Sequence, residues 1–531
     1  YYAAQSMLET GKPSFPSGEA NPRAALYSKL VAYSFQFLGA NEFSLRLPSA
    51  VLGVHCIVVA FFVAQRFFGT TTALLTALFL AISPFAIGWS RLSRMYTLFQ
   101  FLFVWGIYAF YRGFENDGKG MFARWQESSL SKLKAVRDFL NRWQLNVFWL
   151  WSALVFFVLS YSVHDLTALF AVGLAFYLAG MFLLHWKDDG LFRAVRGKYF
   201  ITLVGLVSIV TFAIVARPEV RSMVTYALTY IPKWAEGTRF QDRKLFFDFM
   251  FDHYNFPMGV LFVIGAYQIV ARLHRQGIYL LSIFLGYLFM FTVVFSYRHF
   301  QYLYNVYALF VMISAFAFSN IVGHETEWIK QNWFSKTRLS NALLKGLVLF
   351  SFLAWLPLTP SVRLARRIPL SEDGSFNGAM YMEEWREACE FVRAKSDKND
   401  LIISSDALGT LHYLGRVDYD LNFADLDIAI EKGLKRADGE YFDLYSGKPF
   451  IQSLAQLQRL TEEHENIWLL SQHYKFLEAA AFVPINIRDY VLAHFERVLT
   501  TPNGTVLVFR FSADKYTARP PASATPTNGG S

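Results

Sequence analysis

Arg46-Leu47-Pro48-Ser49-Ala50 leads into one long apolar run, and Ser90-Arg91-Leu92-Ser93-Arg94-Met95-Tyr96 leads into another. Two segments of membrane length lie between these motifs, at 48–65 and 71–88, and a third begins at 95. Apolar blocks of about 18 residues are long enough to cross a bilayer as helices. Helices also satisfy their own backbone polar groups in lipid. The arginines therefore stand at boundaries between spans, where a guanidinium can hold an anion at the membrane surface.

Outward from that stretch the same grammar continues. The 531 residues are 54% hydrophobic and 18% aromatic, with 54 phenylalanines, and only 17% are charged. Such a composition excludes an ordinary soluble protein. The net charge of +9 does not point to nucleic acid, because the basic residues gather in loops between apolar blocks. In that position they set topology and attract anionic lipid. Two cysteines, Cys56 within a span and Cys389 far downstream, support neither a disulfide framework nor a cysteine metal site.

Further spans are expected at 95–111, 146–163, 166–184, 199–216, 257–271, 278–296, 301–322 and 342–358, about ten in all. Turns at Ser162–Asp165 and Tyr297–Phe300 are short enough to force antiparallel neighbours. Residues 1–47 form no span. Pro13, Pro16, Gly18 and Pro22 break the first part, and Ala24–Leu38 has the periodicity of a helix lying along the outer interface. Residues 48–360 make the membrane domain. Residues 375–515 form a soluble α/β domain, with a helix at Trp385–Ala394, buried strands at Leu401–Ser404 and Ile467–Leu470, a helix at 485–496 and a closing strand at Val506–Phe511. The tail 516–531, rich in Pro, Ala, Ser, Thr and Gly, carries no core-forming pattern.

Lys and Arg lean modestly towards the loops around 66, 112–142, 187–198, 272–275 and 330–345, which makes that side cytoplasmic. The N-terminal segment, the 217–255 loop and the C-terminal domain then lie outside. The fold class is a mainly α polytopic membrane protein with a small extracytoplasmic α/β domain.

The order of motifs resembles the C-type (GT-C) membrane glycosyltransferases, in the branch of the protein O-mannosyltransferases and the lipid A aminoarabinose transferase. The pieces carrying the likeness are Tyr1–Gly11, the loop helix Ala24–Gly39, Glu42–Ala50, Ser83-Pro84-Phe85 with Ser90–Tyr96, the Ser162–Asp165 turn, and Tyr297-Arg298-His299-Phe300-Gln301-Tyr302-Leu303-Tyr304. The resemblance implies transfer of a sugar from a polyprenyl-phosphate donor to a hydroxyl on a glycan, lipid or protein acceptor, at the extracytoplasmic face of a bacterial inner membrane. It also implies a first helix and an acidic catalytic base upstream of Tyr1, so the base is unknown among these residues, with Asp165 a candidate.

Each motif has a functional and a plain reading. Arg91 and Arg94 share a helical face; they hold the carrier phosphate, or they snorkel as helix-end anchors. The family pattern favours Arg94, together with Tyr96. His164 is expected to contact substrate, while Asp165 is balanced between that role and an N-cap. Arg298, with His299 and Tyr302, stands where a phosphate would meet both a guanidinium and a helix N-terminus, or where an aromatic belt has a basic rim. Asp248, Asp252 and His253 in the 217–255 loop match one polar helix face better than a metal site. No cofactor is indicated, and a divalent metal has no ligand set in its favour. Asn503-Gly504 reads as a hairpin turn. The rival classes are a transporter of lipid-linked glycan, which would show midplane charges and repeated halves, and a non-catalytic scaffold.

Overall fold

The structure is a computed structural model that describes residues 1–21, 24–116, 118, 121–130, 133–225, 242–251, 255–295, 298–333, 346, 384–478, 480–502 and 504–513. The expected span 342–358, apart from residue 346, and the tail 516–531 lie outside these residues, as do Arg239, Asp252, His253, Tyr297 and Asn503.

Helices α1 (Tyr2–Thr10) and α2 (Ala25–Leu38) precede the apolar part. The first was not legible in the sequence; the second was, and it exposes Tyr33, Phe37 and Leu38. Helix α3 (Glu42–Phe68) begins six residues before the expected span at Pro48. A capping box starts it there: the Ser44 amide donates to Asn41 Oδ1 at 3.0 Å, and the Asn41 amide donates to Ser44 Oγ at 3.1 Å. Two orphan donors are satisfied together, which fixes the start of the helix, and Pro48 lies inside it without ending it. Gly69, at φ 95°, separates α3 from α4 (Thr70–Ile82).

The expected span 71–88 is broken. Ser83 leaves the helix, its Oγ accepts from the Ala86 amide, and Pro84 opens α5 (Pro84–Arg91) at an angle of 59° to α4. Pro at the first helical position is pre-organised to start a new helix rather than continue the old one. Next come α6 (Tyr96–Phe114), α7 (Met121–Ser129), α8 (Lys134–Arg142), α9 (Val147–Val163), α10 (Phe170–Asp189), α11 (Leu191–Ala194), α12 (Lys198–Ala216), α13 (Pro218–Thr225), α14 (Leu245–Met250), α15 (Phe256–Ala271), α16 (Arg275–Phe289) and α17 (Tyr304–Trp333). Short 3₁₀ turns at Asp165–Leu169 and Phe300–Leu303 lead into α10 and α17.

Among the described residues, five helices are long and apolar enough to cross a membrane, or up to seven if each of two bent pairs is one span. This makes the chain an integral membrane protein; of the expected count of about ten, the span 342–358 falls, but for residue 346, outside the described residues and two others fall short for local reasons. Helix α15 is apolar but has only 16 residues. Helix α6 is long enough, yet Gln100, its tyrosines and Arg112 lower its hydropathy, and it is buried among its neighbours.

Helix α17 is the spine. Val306, Ala308, Leu309, Val311, Met312 and Ile313 are wholly buried. Close approaches make the bundle tight: a Cβ on Gly286 would lie 2.6 Å from Gly173 Cα, and one on Gly265 would lie 2.4 Å from the Ile313 carbonyl oxygen. Small residues at such crossings let helices gain van der Waals contact where lipid offers no hydrophobic drive. Helix α12 is peripheral, and almost none of its apolar length is buried against the bundle. It is tied in by Lys198, whose Nζ lies 2.9 Å from Glu115 Oε2, while Tyr177 OH donates to Glu115 Oε1 at 2.9 Å.

The C-terminal part is a mixed five-stranded sheet of β1 (Leu401–Ser404), β2 (Tyr419–Asp420), β3 (Asn466–Gln472), β4 (Glu496–Thr500) and β5 (Val506–Ser512), in the order β2-β1-β3-β5-β4. The first three are parallel, and β5 runs antiparallel to both β3 and β4. Helices α18 (Trp385–Lys395) and α19 (Ala407–Leu414) cover one face through Trp468, Leu470, Val506 and Val508. The other face packs Ile403, Leu469, Leu507 and Phe509 against α21 (Leu454–Glu463) and α22 (Ile485–His494), with α20 (Phe423–Glu431) at its edge. The closing strand is thus internal to the sheet. The edge strand β4 was missed because its residues are half-exposed and lack alternation. Gly504, at φ 71°, sits in the hairpin between β4 and β5, where Asn-Gly placed a turn.

The sheet domain docks on the N-terminal segment. The Ser17 amide donates to the Tyr445 carbonyl at 3.3 Å, Phe15 meets Tyr445 edge-on at 5.0 Å, and Glu42 pairs with both Arg386 and Arg46. The domain therefore sits at the end of the bundle where α3 begins.

Candidate functional site

Three turns far apart in sequence meet at that end. The 92–95 turn connects α5 to α6, His164 closes α9, and His299 precedes α17. The Tyr96 ring lies 5.7 Å from His164; His164 lies 6.2 Å from Tyr302, and Tyr302 lies 6.3 Å from His299. Phe99 stacks on His164 at 5.1 Å, and Phe291 stacks on Tyr302 at 5.6 Å. Aromatic faces of this kind fix ring orientation as well as burying area.

The two histidines are wired alike. His164 Nδ1 accepts from the Leu166 amide at 3.2 Å, and His299 Nδ1 accepts from the Gln301 amide at 3.3 Å. Each is the N-cap of a 3₁₀ turn. An accepting Nδ1 in a neutral imidazole places the proton on Nε2, so both rings are held in the Nε2–H form. Asp165 was weighed as that cap; the structure gives the capping role to His164 and leaves Asp165 exposed in the first turn.

The two arginines differ. Arg298 is 3% exposed, and its Nε donates to the Phe291 carbonyl at 2.6 Å and Nη2 to the Thr292 carbonyl at 3.3 Å. These carbonyls end the π-turn Met290–Val294 that follows α16, so Arg298 closes a helix end. Burial and then the nearby Arg243 pull its pKa down, with Asp242 opposing. The expectation of a phosphate contact at Arg298 therefore meets a guanidinium already serving the backbone. Arg94 is exposed, and among the described residues its side chain makes no hydrogen bond or ion pair. Its backbone is fixed: the Arg94 carbonyl accepts from Ser49 Oγ at 3.2 Å. Ser49 and Ser93 both hydrogen-bond Tyr27 OH, at 2.6 and 3.3 Å. Sequence reading missed Tyr27, Phe99 and Phe291, which lie inside apolar periodicities like any core aromatic. Arg91 ends α5, where a cation complements the helix carbonyls.

A second group of ionisable residues lies in the sheet domain. Burial, reinforced by Asp443 and Asp425, drives the Asp420 carboxyl well above the carboxylate range. Burial raises Asp425 to about 6, against the pull of Lys475, and raises Asp443 as well. Asp420 Oδ1 is buried without a hydrogen-bond partner among the described residues. Among those residues no three of His, Cys, Asp and Glu come together as metal ligands. Asp248 is exposed on α14.

A profile of the dolichyl-phosphate-mannose-protein mannosyltransferase family matches residues 23–125, which contain α2 to α6 and the Arg94 turn. No curated protein sequence matches the chain. Among solved structures, the oligosaccharyltransferase of Archaeoglobus fulgidus in its apo form aligns with a TM-score of 0.57 at 14% identity, covering 97% of this chain and 70% of that one. The oligosaccharyltransferase AglB from Archaeoglobus fulgidus, in complex with an inhibitory peptide and a dolichol-phosphate, aligns at 0.55 and 12% identity over 98% of this chain and 70% of that one. ArnT from Cupriavidus metallidurans covers 98% of this chain and 93% of its own at 11% identity, with a TM-score of 0.49. The resemblance to the GT-C membrane glycosyltransferases drawn from the motifs holds at the level of fold.

Proposed function

We propose that this protein is a membrane glycosyltransferase that moves a sugar from a polyprenyl-phosphate-linked donor to a hydroxyl acceptor at the extracytoplasmic face of a bacterial inner membrane. The observation that carries this reading is the exposed Arg94 guanidinium, unpaired among the described residues, on the turn just before Tyr96, whose ring meets His164. The family profile over 23–125 includes that turn. The archaeal relative of the same fold was solved with a dolichol-phosphate, a lipid of the class proposed here as donor.

The chemistry follows from charge. The acceptor oxygen bonds to the anomeric carbon as the bond from that carbon to the phosphate oxygen breaks. The acceptor proton passes to a base, and the lipid phosphate leaves with its negative charge. Arg94 offsets that charge bidentately, and the His164 and His299 N–H groups donate to oxygens of the donor. Tyr96 and Tyr302 hold the imidazoles in place. A carboxylate serves as the base, and Asp165, exposed beside His164, is the described candidate. The isoprenoid tail stays in the bilayer along the apolar helices, and the sheet domain, docked over α1 and the start of α3, borders acceptor access.

Sugar transfer from a polyprenyl-phosphate donor by the purified protein in liposomes tests this. Arg94→Ala is expected to lose about 10–100-fold in turnover, from about 1.5–3 kcal/mol for a charged hydrogen bond. Unchanged transfer by that variant removes Arg94 from the site, and no transfer by the wild type with any such donor removes the reading.

A further inference from the structure

At the end of the bundle opposite the histidines, a cavity of about 480 Å³ is lined by Phe62, Gln65 and Arg66 of α3, Trp105 and Tyr108 of α6, and Trp149 of α9. The Arg112 guanidinium lies over the Trp149 ring at 5.6 Å, and Phe122 of α7 meets the same ring edge-on at 4.7 Å. The cavity thus combines a cation and an amide with a wall of rings at a helix end. Beside it, α8 bends 72° away from α9. If α9 crosses the bilayer, α8 lies close to the membrane plane. Its sequence is two-sided: Leu133, Val136 and Phe139 are exposed along one face, and Lys134, Arg137 and Arg142 occupy the other, where Asp138 pairs with Arg137 at 3.8 Å and leaves the face net basic. An amphipathic helix of this kind seats its apolar face among acyl chains while its basic face meets headgroups.

We propose that this end of the protein binds anionic glycerophospholipid of the cytoplasmic leaflet, with α8 embedded in the interface and one headgroup phosphate seated in the Arg66 cavity. Three observations commit the occupant to a lipid rather than a free phosphate or a protein. The cavity walls are mostly aromatic, which suits a headgroup joined to its glycerol and acyl chains. Phe62 is half-exposed on the helix surface, giving a chain a path out of the cavity into the bilayer. The basic residues of α8 add the attraction that an acidic leaflet rewards. The inference is independent of the sugar-transfer reading, which concerns the other end of the helices.

Two measurements test it. Both native cysteines are buried, so an environment-sensitive fluorophore on Phe139→Cys reports α8 alone. In nanodiscs of phosphatidylcholine with phosphatidylglycerol, its emission should shift to the blue and be quenched by spin-labelled lipid; quenching by aqueous iodide instead overturns the embedded helix. Native mass spectrometry of the full chain, titrated with phosphatidylglycerol against phosphatidylcholine, should show at least fivefold preference for the anionic lipid. Arg66→Gln should abolish most of that preference, while Arg193→Gln, at an exposed site on α11, should keep it. Excess inorganic phosphate should not displace the lipid. Equal retention of the two lipids by the wild type, an unaltered preference in Arg66→Gln, or displacement by phosphate each refutes the headgroup seat. Transfer activity at the opposite end reads out separately whether the variants remain folded.

Discussion

Arg94 and Arg298 stand on the same rim, each a few residues before a tyrosine that joins the ring cluster, yet they do different work. Arg298 is buried and donates to backbone carbonyls, Phe291 and Thr292 among them; Arg94 is exposed, its carbonyl pinned by Ser49 and its guanidinium without a partner among the described residues. A charge taken out of water must find hydrogen bonds inside the protein, whereas one left at the surface keeps its capacity for an outside anion. Burial and bonding, more than residue type, separate a structural arginine from a candidate ligand-binding one.

The sharpest way to break that contrast is to remove Arg298. Arg298→Ala should leave the Phe291 and Thr292 carbonyls without their donor and cost about 3 kcal/mol or more, read as a lower melting temperature of the detergent-solubilised protein. A variant that melts like wild type but no longer binds donor would reverse the assignment. Arg94→Ala should do the opposite: about 10–100-fold less transfer at an unchanged melting temperature. Loss of stability there would mean that Arg94 serves the fold too.

The buried carboxylates of the sheet domain extend the comparison to charges that burial serves badly. Asp425 has its pKa raised to about 6, above the ordinary carboxylate value it regains on unfolding. The folded domain therefore binds more protons than the unfolded one between about pH 4 and 6. The stability this gives is complete at the acid side and is lost as pH rises through about 6. Between pH 5 and 7.5 the loss from Asp425 is about 1.4 kcal/mol; Asp420 and Asp443 are shifted in the same direction. Thermal proteolysis of the intact protein, following peptides from 401–470, should show greater protection at pH 5, and Asp425→Asn should flatten the dependence. A domain that is instead more stable at pH 7.5 contradicts these shifts.

The smallest effect concerns the histidine cap. His164→Ala removes an N-cap worth about 1 kcal/mol, while His164→Asn keeps a side-chain acceptor and loses the Nε2–H. If the imidazole serves the donor lipid, Asn should restore the melting temperature and not the turnover. Full recovery of both would leave His164 a cap and nothing more.

Much of this was legible beforehand. The helix at 25–38, the turns at 164 and 299 and the strands at 401, 467 and 506 all follow from local patterns, whereas the break at Ser83-Pro84 was read through as one span. The His-cap pattern was also present, since His164 and His299 each directly precede a turn into a long apolar helix, but imidazole is an uncommon cap and was weighed as a ligand alone. Tyr27 gave no signal, because its role depends on a serine on each of two other segments.

The sequence by itself determined that this is a helical membrane protein with a small α/β domain, since hydropathy, Pro, Gly and strand alternation act within a few residues. It also placed arginines and histidines at the boundaries between apolar segments. Only the tertiary structure decided which of those groups meet, which arginine turns inward, and that β5 lies inside the sheet rather than at its edge. Such choices depend on how distant helices and strands pack and on where the hydrogen bonds of a buried charge are found, and neither is written in any local stretch of chain.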